Sequence, residues 1–435
     1  MISYIDGNRI EQEPNLLFDK SDTSAVHPQV YWGLRKYGPY DKDISDIRLV
    51  IMSPIEKMND VKKLVDELNN GTPIMPGGMP RFFRCKIEVI EEIYVKSMET
   101  TSYEKSALDF VSRSDPREVD VVLVYIPKTS RFLSNTPYYR VKAILASEGY
   151  PSQMITENTF ANLKWSYLNL ASAIFSKSGG VPWVLEHEMK NVDMLLGISI
   201  SSVISKRNRA GNVPRYVGYV NVFDSFGKWM FFDGTAKPYE KDKRLEQLKE
   251  LLSAAISRFK IEKKFDPRNI VIHYYKRWGE REKECVIDVL NDILGDFNVA
   301  FISIDDSHPL RLYDMSTPDG SFPRGYYAYL NRNEILLSST GYTGIASRRM
   351  GTPKLLRIRL EQYPGEFISI DDVAFQVLSL TKLNWATVTP LVREPVTLLF
   401  SRELAYLTAA ISEQDWMSIT RPDVNVILNK RPWFI

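Results

Sequence analysis

The chain has 435 residues, about three times the length of a typical domain, which predicts two or three compact units. Hydrophobic residues make up 44% and charged residues 25% of it, the balance of a soluble globular protein, and this excludes collagen-like and linker-dominated chains. The 56 Lys and Arg against 54 Asp and Glu leave a formal charge of +2. The overall charge therefore predicts neither a nucleic-acid nor a membrane partner, and any basic site has to be local.

The sequence lacks the features of a secreted protein and of a protein with a structural zinc site. Cys85 and Cys285 are too far apart and too few for a disulfide framework or for the paired ligands of structural zinc. The segment Met1–Glu13 is polar and carries acids, unlike a secretion signal. The sequence contains no uncharged apolar run of about 18 residues, so no transmembrane helix is predicted. We therefore expect a soluble protein of the cytoplasm.

In the first half of the chain, short apolar runs alternate with amphipathic ones, a pattern that favours a parallel α/β sheet. β-Branched runs between turn residues predict strands at Ile47–Met52, Val119–Ile126 and Pro151–Ile155. Helical periodicity predicts helices at Val61–Leu68, Tyr103–Ser112, Tyr138–Ser147 and Asn158–Lys177. Gly179, Gly180 and Pro182 then form a strong stop signal, and we place a domain boundary there.

The second half has a different order of elements. Strands are predicted at Asp193–Ser201, Tyr216–Val222, Lys228–Phe232, Ile270–Tyr275, Val299–Ile304 and Leu355–Leu360, with hairpins across Asp224–Gly227 and Arg332–Glu334. Helices are predicted at Lys243–Ile261, Glu282–Leu294, Asp371–Leu383 and Pro395–Ser412, with the last two closing the chain. Three strands, a helix, a strand, a helix and a strand is the order of the ribonuclease H fold.

Several familiar active sites are excluded by their motifs. There is no Gly-x-x-x-x-Gly-Lys-Ser/Thr loop for a nucleotide phosphate and no Gly-x-Ser-x-Gly turn for a serine nucleophile. The pair His187-Glu188 lacks the second histidine of a zinc protease. Asp288, Asp292 and Asp296 share a helical face that could attract a cation, but such spacing is more typical of a solvated face.

The most informative residues lie at the end of the first half. Pro137 suits the first turn of a helix on which Tyr138 and Lys142 share a face. Gln153 lies in the next predicted strand, and Lys177 ends the helix after it. A hydroxyl, an amide and two ammonium groups can all donate to one phosphate. A surface lysine and a half-buried tyrosine on one helix are also commonplace, so the residues alone leave both interpretations open.

With that set, the sequence resembles the Argonaute family. Tyr138, Lys142, Gln153 and Lys177 have the order and spacing of the guide 5′-phosphate pocket in the Argonaute MID domain. Three further segments are similar to short archaeal Piwi-type Argonautes: Leu34–Tyr40, Ser176–Trp183 and Arg431–Ile435. The resemblance covers nearly the whole chain, and no N-terminal or PAZ domain has room before residue 35.

The resemblance implies a fold and domain limits. The fold expected is α/β, with a Rossmann-like MID domain and a ribonuclease H-like PIWI domain. We expect an N-terminal segment at 1–37 that packs on PIWI, MID at 38–182 and PIWI at 183–435.

The same resemblance implies a bound metal ion. In the family the C-terminal carboxylate, here that of Ile435, folds back to the MID–PIWI junction and helps hold a Mg²⁺ that bridges guide phosphates. Mg²⁺ prefers hard oxygen ligands and often combines a carboxylate with substrate phosphates. Related archaeal proteins add a glutamine one turn before the second lysine, where this chain has Ala173.

The catalytic positions of slicing Argonautes carry other residues in this sequence. Ser199 stands where the first acid is expected, the Lys276–Trp278 turn replaces the second, and Arg402 falls at the fourth, counted from Pro395-Val396. Arginine cannot ligate a metal ion, and a two-metal nuclease needs clustered carboxylates. We therefore expect that the protein is not an enzyme.

Positive charge at these positions has a second meaning. Lys276, Arg277 and Arg402 would line the groove of a guide–target duplex and bind its phosphates. Arg357 and Arg359 point to one face of a predicted strand. They belong to a basic run with Arg348, Arg349 and Lys354 that fits a phosphate contact and a solvated strand edge equally well.

The function expected is that of a catalytically inactive short Argonaute. It would bind a small guide RNA or DNA, pair it with a complementary invading nucleic acid, and signal through a separate protein effector or associated subunit in prokaryotic defence. Two alternatives stay open: a metal-dependent guided nuclease that uses other acids such as Asp193 or Asp224, and a scaffold subunit that no longer binds guides.

Overall fold

The structure, a computed structural model, describes residues 6–130, 133–203, 215–341, 352–388 and 392–435. It begins with short elements that later strands complete. They are β1 (Gly7–Arg9), β2 (Leu16–Leu17), β3 (Val26–His27) and α1 (Val30–Tyr37). Helix α1 ends at Gly38, whose φ of +86° lies in the left-handed region that glycine adopts without strain.

The next region alternates strands and helices, as predicted. Its elements are β4 (Asp46–Pro54), α2 (Ile55–Asn70), α3 (Gly78–Phe82), β5 (Lys86–Val95), α4 (Thr100–Arg113), β6 (Val121–Tyr125), α5 (Pro137–Ser147), β7 (Ser152–Ile155), α6 (Glu157–Ala161) and α7 (Leu163–Lys177). The strands lie in the order β5-β4-β6-β7, and all neighbours are parallel. The central strands β4 and β6 are apolar almost throughout because helices cover both faces.

Two features of this region differ from the prediction. Strand β5 was not predicted, because its sequence lacks the alternation of a half-buried strand. Glu88, Glu91 and Glu92 lie at the edge of the sheet, where charge is tolerated. The single helix predicted at Asn158–Lys177 is divided at Asn162, whose φ of −120° interrupts the helical path between α6 and α7.

The second half forms a larger sheet with helices on it. Its elements are β8 (Val184–Leu185), β9 (Met194–Val203), β10 (Arg215–Asp224), β11 (Trp229–Gly234), α8 (Arg244–Lys263), β12 (Asn269–Tyr274), α9 (Glu280–Ile293), β13 (Asn298–Asp305), β14 (Tyr326–Asn331), β15 (Glu334–Leu337), β16 (Leu356–Tyr363), α10 (Ile370–Leu380), α11 (Val396–Ala410), α12 (Glu413–Ile419) and α13 (Pro422–Leu428). Strand β8 pairs with β2 in a small separate sheet.

The nine-stranded sheet has the order β1-β14-β15-β16-β13-β12-β9-β10-β11. Strands β9, β10 and β11 are antiparallel neighbours, whereas β12 is parallel to β9 and β13 is parallel to β12. Taken in chain order, these five strands lie third, second, first, fourth and fifth across the sheet. The ribonuclease H-like order predicted from the sequence is therefore confirmed. The N-terminal strand β1 extends the far edge beside β14, while the proposed domain limits stay predictions.

The end of the chain differs from the prediction that two helices close it. Helices α12 and α13 follow α11, and both are too short for a clear hydrophobic period. Ser412 caps α12 by accepting a bond from the Asp415 backbone N–H. Beyond them, Trp433 and Phe434 pack on Phe232 with ring centroids 6.5 and 6.1 Å away, so the last residues of the sequence belong to the core.

Helix α11 crosses the sheet directly over β9. A Cβ atom on Gly197 would lie 2.5 Å from the Thr397 carbonyl oxygen, so only glycine permits this close approach. Buried His273 on β12 donates from Nε2 to Gln376 Oε1 at 3.1 Å, and its Nδ1 lies 2.9 Å from Thr397 Oγ1. The position of α11 over β9 is therefore held by both packing and hydrogen bonds.

Candidate functional site

The four predicted phosphate-binding residues come together in the structure. Helix α5 begins with Pro137 in its first turn, and Tyr138 and Lys142 lie one turn apart, with Lys142 Nζ 5.4 Å from the Tyr138 ring centroid. Gln153 lies on the neighbouring β7, and Lys177 is the last residue of α7. Lys177 Nζ donates to Gln153 Oε1 at 2.6 Å.

The two lysines of this group are buried, which is rare for lysine side chains. Lys142 is 3% exposed and Lys177 is 1% exposed. Burial holds the pKa of Lys177 well below its usual value, the charge of Lys142 lowers that pKa further, and the carboxylate of Glu403 opposes both. Two positive groups in one desolvated place form an electrostatic site for an anion.

A narrow cavity lies beside Lys142. Helix α5 contributes one wall and helix α11 contributes the other, so the cavity lies between the parallel sheet unit and the large sheet unit. It is lined by Tyr138, Tyr139, Lys142, Glu403, Tyr406, Leu407 and Phe434. Sequence reasoning did not find Glu403 or Tyr406, because no local pattern places α11 beside α5.

The residues predicted to hold a metal ion are only partly beside this cavity. Phe434 lines the cavity and is buried with Trp433, which agrees with an anchored tail. Ile435 is half-buried against the core, and its backbone N–H donates to the Pro432 carbonyl at 3.3 Å. Ala173 lies one helical turn before Lys177 and supplies no ligand. The metal-binding role of the Ile435 carboxylate stays a prediction.

The predicted catalytic positions also lie close together, on adjacent elements. Ser199 is buried on β9, and its neighbour Ile198 pairs with Tyr274 at the end of β12, from which Lys276 follows. Ser201 Oγ donates to the Ala405 carbonyl on α11 at 3.3 Å, which brings α11 and its Arg402 to the same end of β9.

The charges at this end of the sheet are those of ion pairs. The Arg402 guanidinium binds the buried carboxylate of Glu394. Lys276 Nζ lies 3.6 Å from Glu282 Oε1, and burial, together with the charges of Arg244 and Lys241, lowers the pKa of Lys276. In the described part of the chain, no three His, Cys, Asp or Glu side chains form a group that could hold a metal ion.

The remaining predicted backbone contacts have mixed surroundings. Arg277 is exposed beside Lys276. Arg357 and Arg359 point to one face of β16, as predicted, and both bind the buried carboxylate of Glu334 on β15, Arg359 at 3.1 Å. Lys354 is exposed, and Arg348 and Arg349 lie outside the described residues.

Asp193 and Asp224, the acids of the alternative nuclease hypothesis, have structural partners. Asp193 Oδ2 accepts bonds from the backbone N–H groups of Arg268 and Asn269, each at 2.8 Å. Asp224 Oδ2 lies 2.8 Å from Lys263 Nζ, and its other oxygen accepts from the backbone of the hairpin turn. Each carboxylate thus stabilises a strand end or a turn.

Comparisons with known proteins agree with this architecture. The sequence profile of the Piwi domain matches residues 121–334. The chain is 22% identical to an Argonaute of Cereibacter sphaeroides across 98% of its length and 23% identical to one of Aquifex aeolicus across 89%. It spans only 59% and 52% of these two relatives. A Piwi protein of Archaeoglobus fulgidus is 22% identical, with 93% of each chain aligned.

Solved structures show the same fold. The Argonaute of Clostridium butyricum, bound to a guide DNA and a 19-mer target DNA, superposes with a TM-score of 0.73 at 17% identity, over 94% of this chain and 53% of that one. An Aquifex aeolicus Argonaute with externally bound siRNA superposes with a TM-score of 0.65 at 19% identity, over 92% of this chain and 53% of its own. Among the described helices, none is long and apolar enough to cross a membrane.

Proposed function

We propose, from the premise that this chain is a Piwi-domain relative of the Argonautes, that it binds the 5′-phosphorylated end of a small guide strand between its two α/β units. The guide, RNA or DNA, would pair with a complementary target, so that base pairing supplies the specificity and the protein holds the backbone and the end. One observation carries the proposal: Lys142 and Lys177 are both buried, one lining the cavity and the other within electrostatic reach of it.

A phosphate is the ligand that best matches this pocket. Buried ammonium groups are unfavourable unless an anion compensates for them, and a terminal phosphate carries close to two negative charges. The Tyr138 hydroxyl and the two ammonium groups can donate to its oxygens in charge-assisted bonds. Gln153 accepts from Lys177 at 2.6 Å, so it also positions that ammonium group.

We infer that the bound target is not cleaved. Two-metal hydrolysis needs clustered acids, and the positions that would supply them carry Ser199, the Lys276–Trp278 turn and Arg402. The Arg402 guanidinium, paired with Glu394, brings positive charge to a place where a metal ion would be repelled. Lys276 and Arg277, with Arg402, would instead contact backbone phosphates.

Binding without cleavage leaves the target intact, so the output has to pass through other molecules. We propose that recognition of invading nucleic acid is signalled to a separate protein effector or an associated subunit in prokaryotic defence. The resemblance to short Argonautes supports this assignment.

Mg²⁺ at the guide phosphate stays a prediction. The side chains that line the cavity include one carboxylate, that of Glu403, and the ammonium group of Lys142, and Ala173 adds no oxygen. This donor set does not match the several hard oxygen ligands that Mg²⁺ prefers, and no step of the proposed function is routed through the ion.

A competition titration tests the proposal. The protein is titrated with labelled 5′-phosphorylated oligonucleotide, and 5′-phosphorylated and 5′-hydroxyl competitors of one sequence are compared at fixed salt. We expect a clear preference for the phosphorylated end, and we expect Lys142→Ala to abolish most of it. The matched control is Lys105→Ala, which removes an exposed lysine of α4. Equal affinity for both ends in the unaltered protein would refute the assignment of this pocket.

A further inference from the structure

We infer that Glu403 is a built-in counter-anion of the guide pocket, which the 5′-phosphate has to displace when it enters. The inference rests on the proposed function, because it assigns a role to a residue of the same cavity. It makes Glu403 a residue that sets the affinity and the selectivity for phosphorylated ends. No motif marks Glu403, which comes from α11 and faces the pocket only in the folded chain.

Glu403 lies in the guide pocket itself. It lines the same cavity as Tyr138 and Lys142, on the opposite wall. Its side chain is half-buried, and Phe434, Tyr406 and Leu407 surround that wall with mostly apolar surface. A carboxylate in such surroundings is partly stripped of water, so its interactions with neighbouring charges are stronger than at an exposed site.

The charge of Glu403 opposes that of the neighbouring lysines. Lys142 and Lys177 repel each other in a desolvated place, and the charge of Glu403 acts on Lys177 in the opposite direction. With no guide bound, Glu403 is therefore the anion that offsets the buried lysines. A buried cation with no opposite charge nearby is strongly unfavourable, which explains why an acid is tolerated in a pocket for phosphate.

A guide phosphate would compete with Glu403 for the lysines. A 5′-phosphate brings its negative charge to the groups that Glu403 offsets, and two anions in one narrow cavity repel each other. Phosphate binding therefore includes the cost of separating Glu403 from the lysines. A 5′-hydroxyl end does not compete for these cations and leaves the carboxylate in place.

The test compares Glu403→Gln with the unaltered protein, in guide titrations with 5′-phosphorylated and 5′-hydroxyl oligonucleotides, each in EDTA and in Mg²⁺. Glutamine keeps the size of the side chain and removes its charge. We expect the variant to bind the phosphorylated guide roughly tenfold more tightly, the effect of one charge-assisted contact, and to bind the hydroxyl guide as before. Glu403→Asp keeps the charge and should stay close to the unaltered protein.

The control is Glu246→Gln, which removes an exposed carboxylate on α8. Unchanged or weaker binding of the phosphorylated guide by Glu403→Gln would overturn the inference, and weaker binding confined to Mg²⁺ would make Glu403 a cation ligand instead. Both results presuppose that the unaltered protein prefers a 5′-phosphate. If that preference is missing, the proposed function fails before the role of Glu403 is reached.

Discussion

Replacing Lys177 with methionine should weaken guide binding without lowering the stability of the fold. Lys177 is fully buried and its ammonium group is held by Gln153 at 2.6 Å, beside the charge of Lys142. Methionine has a similar length and no charge, so it fills the same space and leaves no cavity. A lysine that is needed only for packing would show no loss of guide affinity on this change.

The size of the binding effect follows from the contact that is lost. One charge-assisted bond to phosphate is worth roughly 1.5–3 kcal/mol, which corresponds to a dissociation constant about 10 to 150 times higher. The effect should be confined to 5′-phosphorylated guides, because a hydroxyl end has no charge to offer. Lys105→Met on α4 is the matched control and should change neither affinity.

The expectation that stability is kept follows from the lowered pKa of Lys177. Burial lowers the pKa of Lys177 in the folded protein, so at neutral pH the unfolded chain binds the proton more readily than the folded one. The unfolding free energy of the unaltered protein should therefore rise as the pH rises towards 10.5, the ordinary pKa of lysine. Lys177→Met removes this slope and should not lower the melting temperature at pH 7.

The assays are a guide titration with both kinds of end and a denaturant unfolding series across pH. A methionine variant that keeps the full preference for the phosphate would refute the role of Lys177. A melting temperature that falls by many degrees would refute the reasoning on its charge, because it would show that the ammonium group stabilises the guide-free fold.

Three further outcomes are expected. With matched guide, target and Mg²⁺ or Mn²⁺, the protein should leave the target intact, and Ser199→Asp should not restore cleavage while Arg402 remains; a product cut at a fixed distance from the guide 5′ end in the unaltered protein would contradict this. Burial lowers the pKa of His273 to about 4 from 6.5, so the unfolding free energy should fall by about 3 kcal/mol between pH 6.5 and 4, and His273→Gln should flatten that slope in urea titrations. Glu13→Gln leaves the buried Arg324 without its carboxylate partner at 2.9 Å and should destabilise the fold by roughly 2–3 kcal/mol, whereas an unchanged melting curve would show that the N-terminal segment docks without this pair.

Local patterns were sufficient to predict much of the architecture. Central strands such as Ile47–Met52 and Val119–Ile126 are apolar because they are covered on both faces, and this leaves a signal in any short window. The strands and helices of the second half left local signals of the same kind, and their order along the chain predicted the ribonuclease H-like sheet. Tyr138 and Lys142 lie one turn apart on α5, a spacing that helical geometry imposes without help from the rest of the chain.

Contacts between distant segments were beyond such patterns. Glu403 faces Lys142 only because α11 packs over β9, and that approach depends on the absence of a side chain at Gly197. Arg402 and Arg359 could be placed on their elements from the sequence, but their carboxylate partners, Glu394 and Glu334, could not. Charge compensation is set by distance in space, and a sequence window reports distance along the chain. The set of donors could therefore be predicted from the sequence and from the resemblance it carries, whereas the acid that faces them came to light in the folded protein.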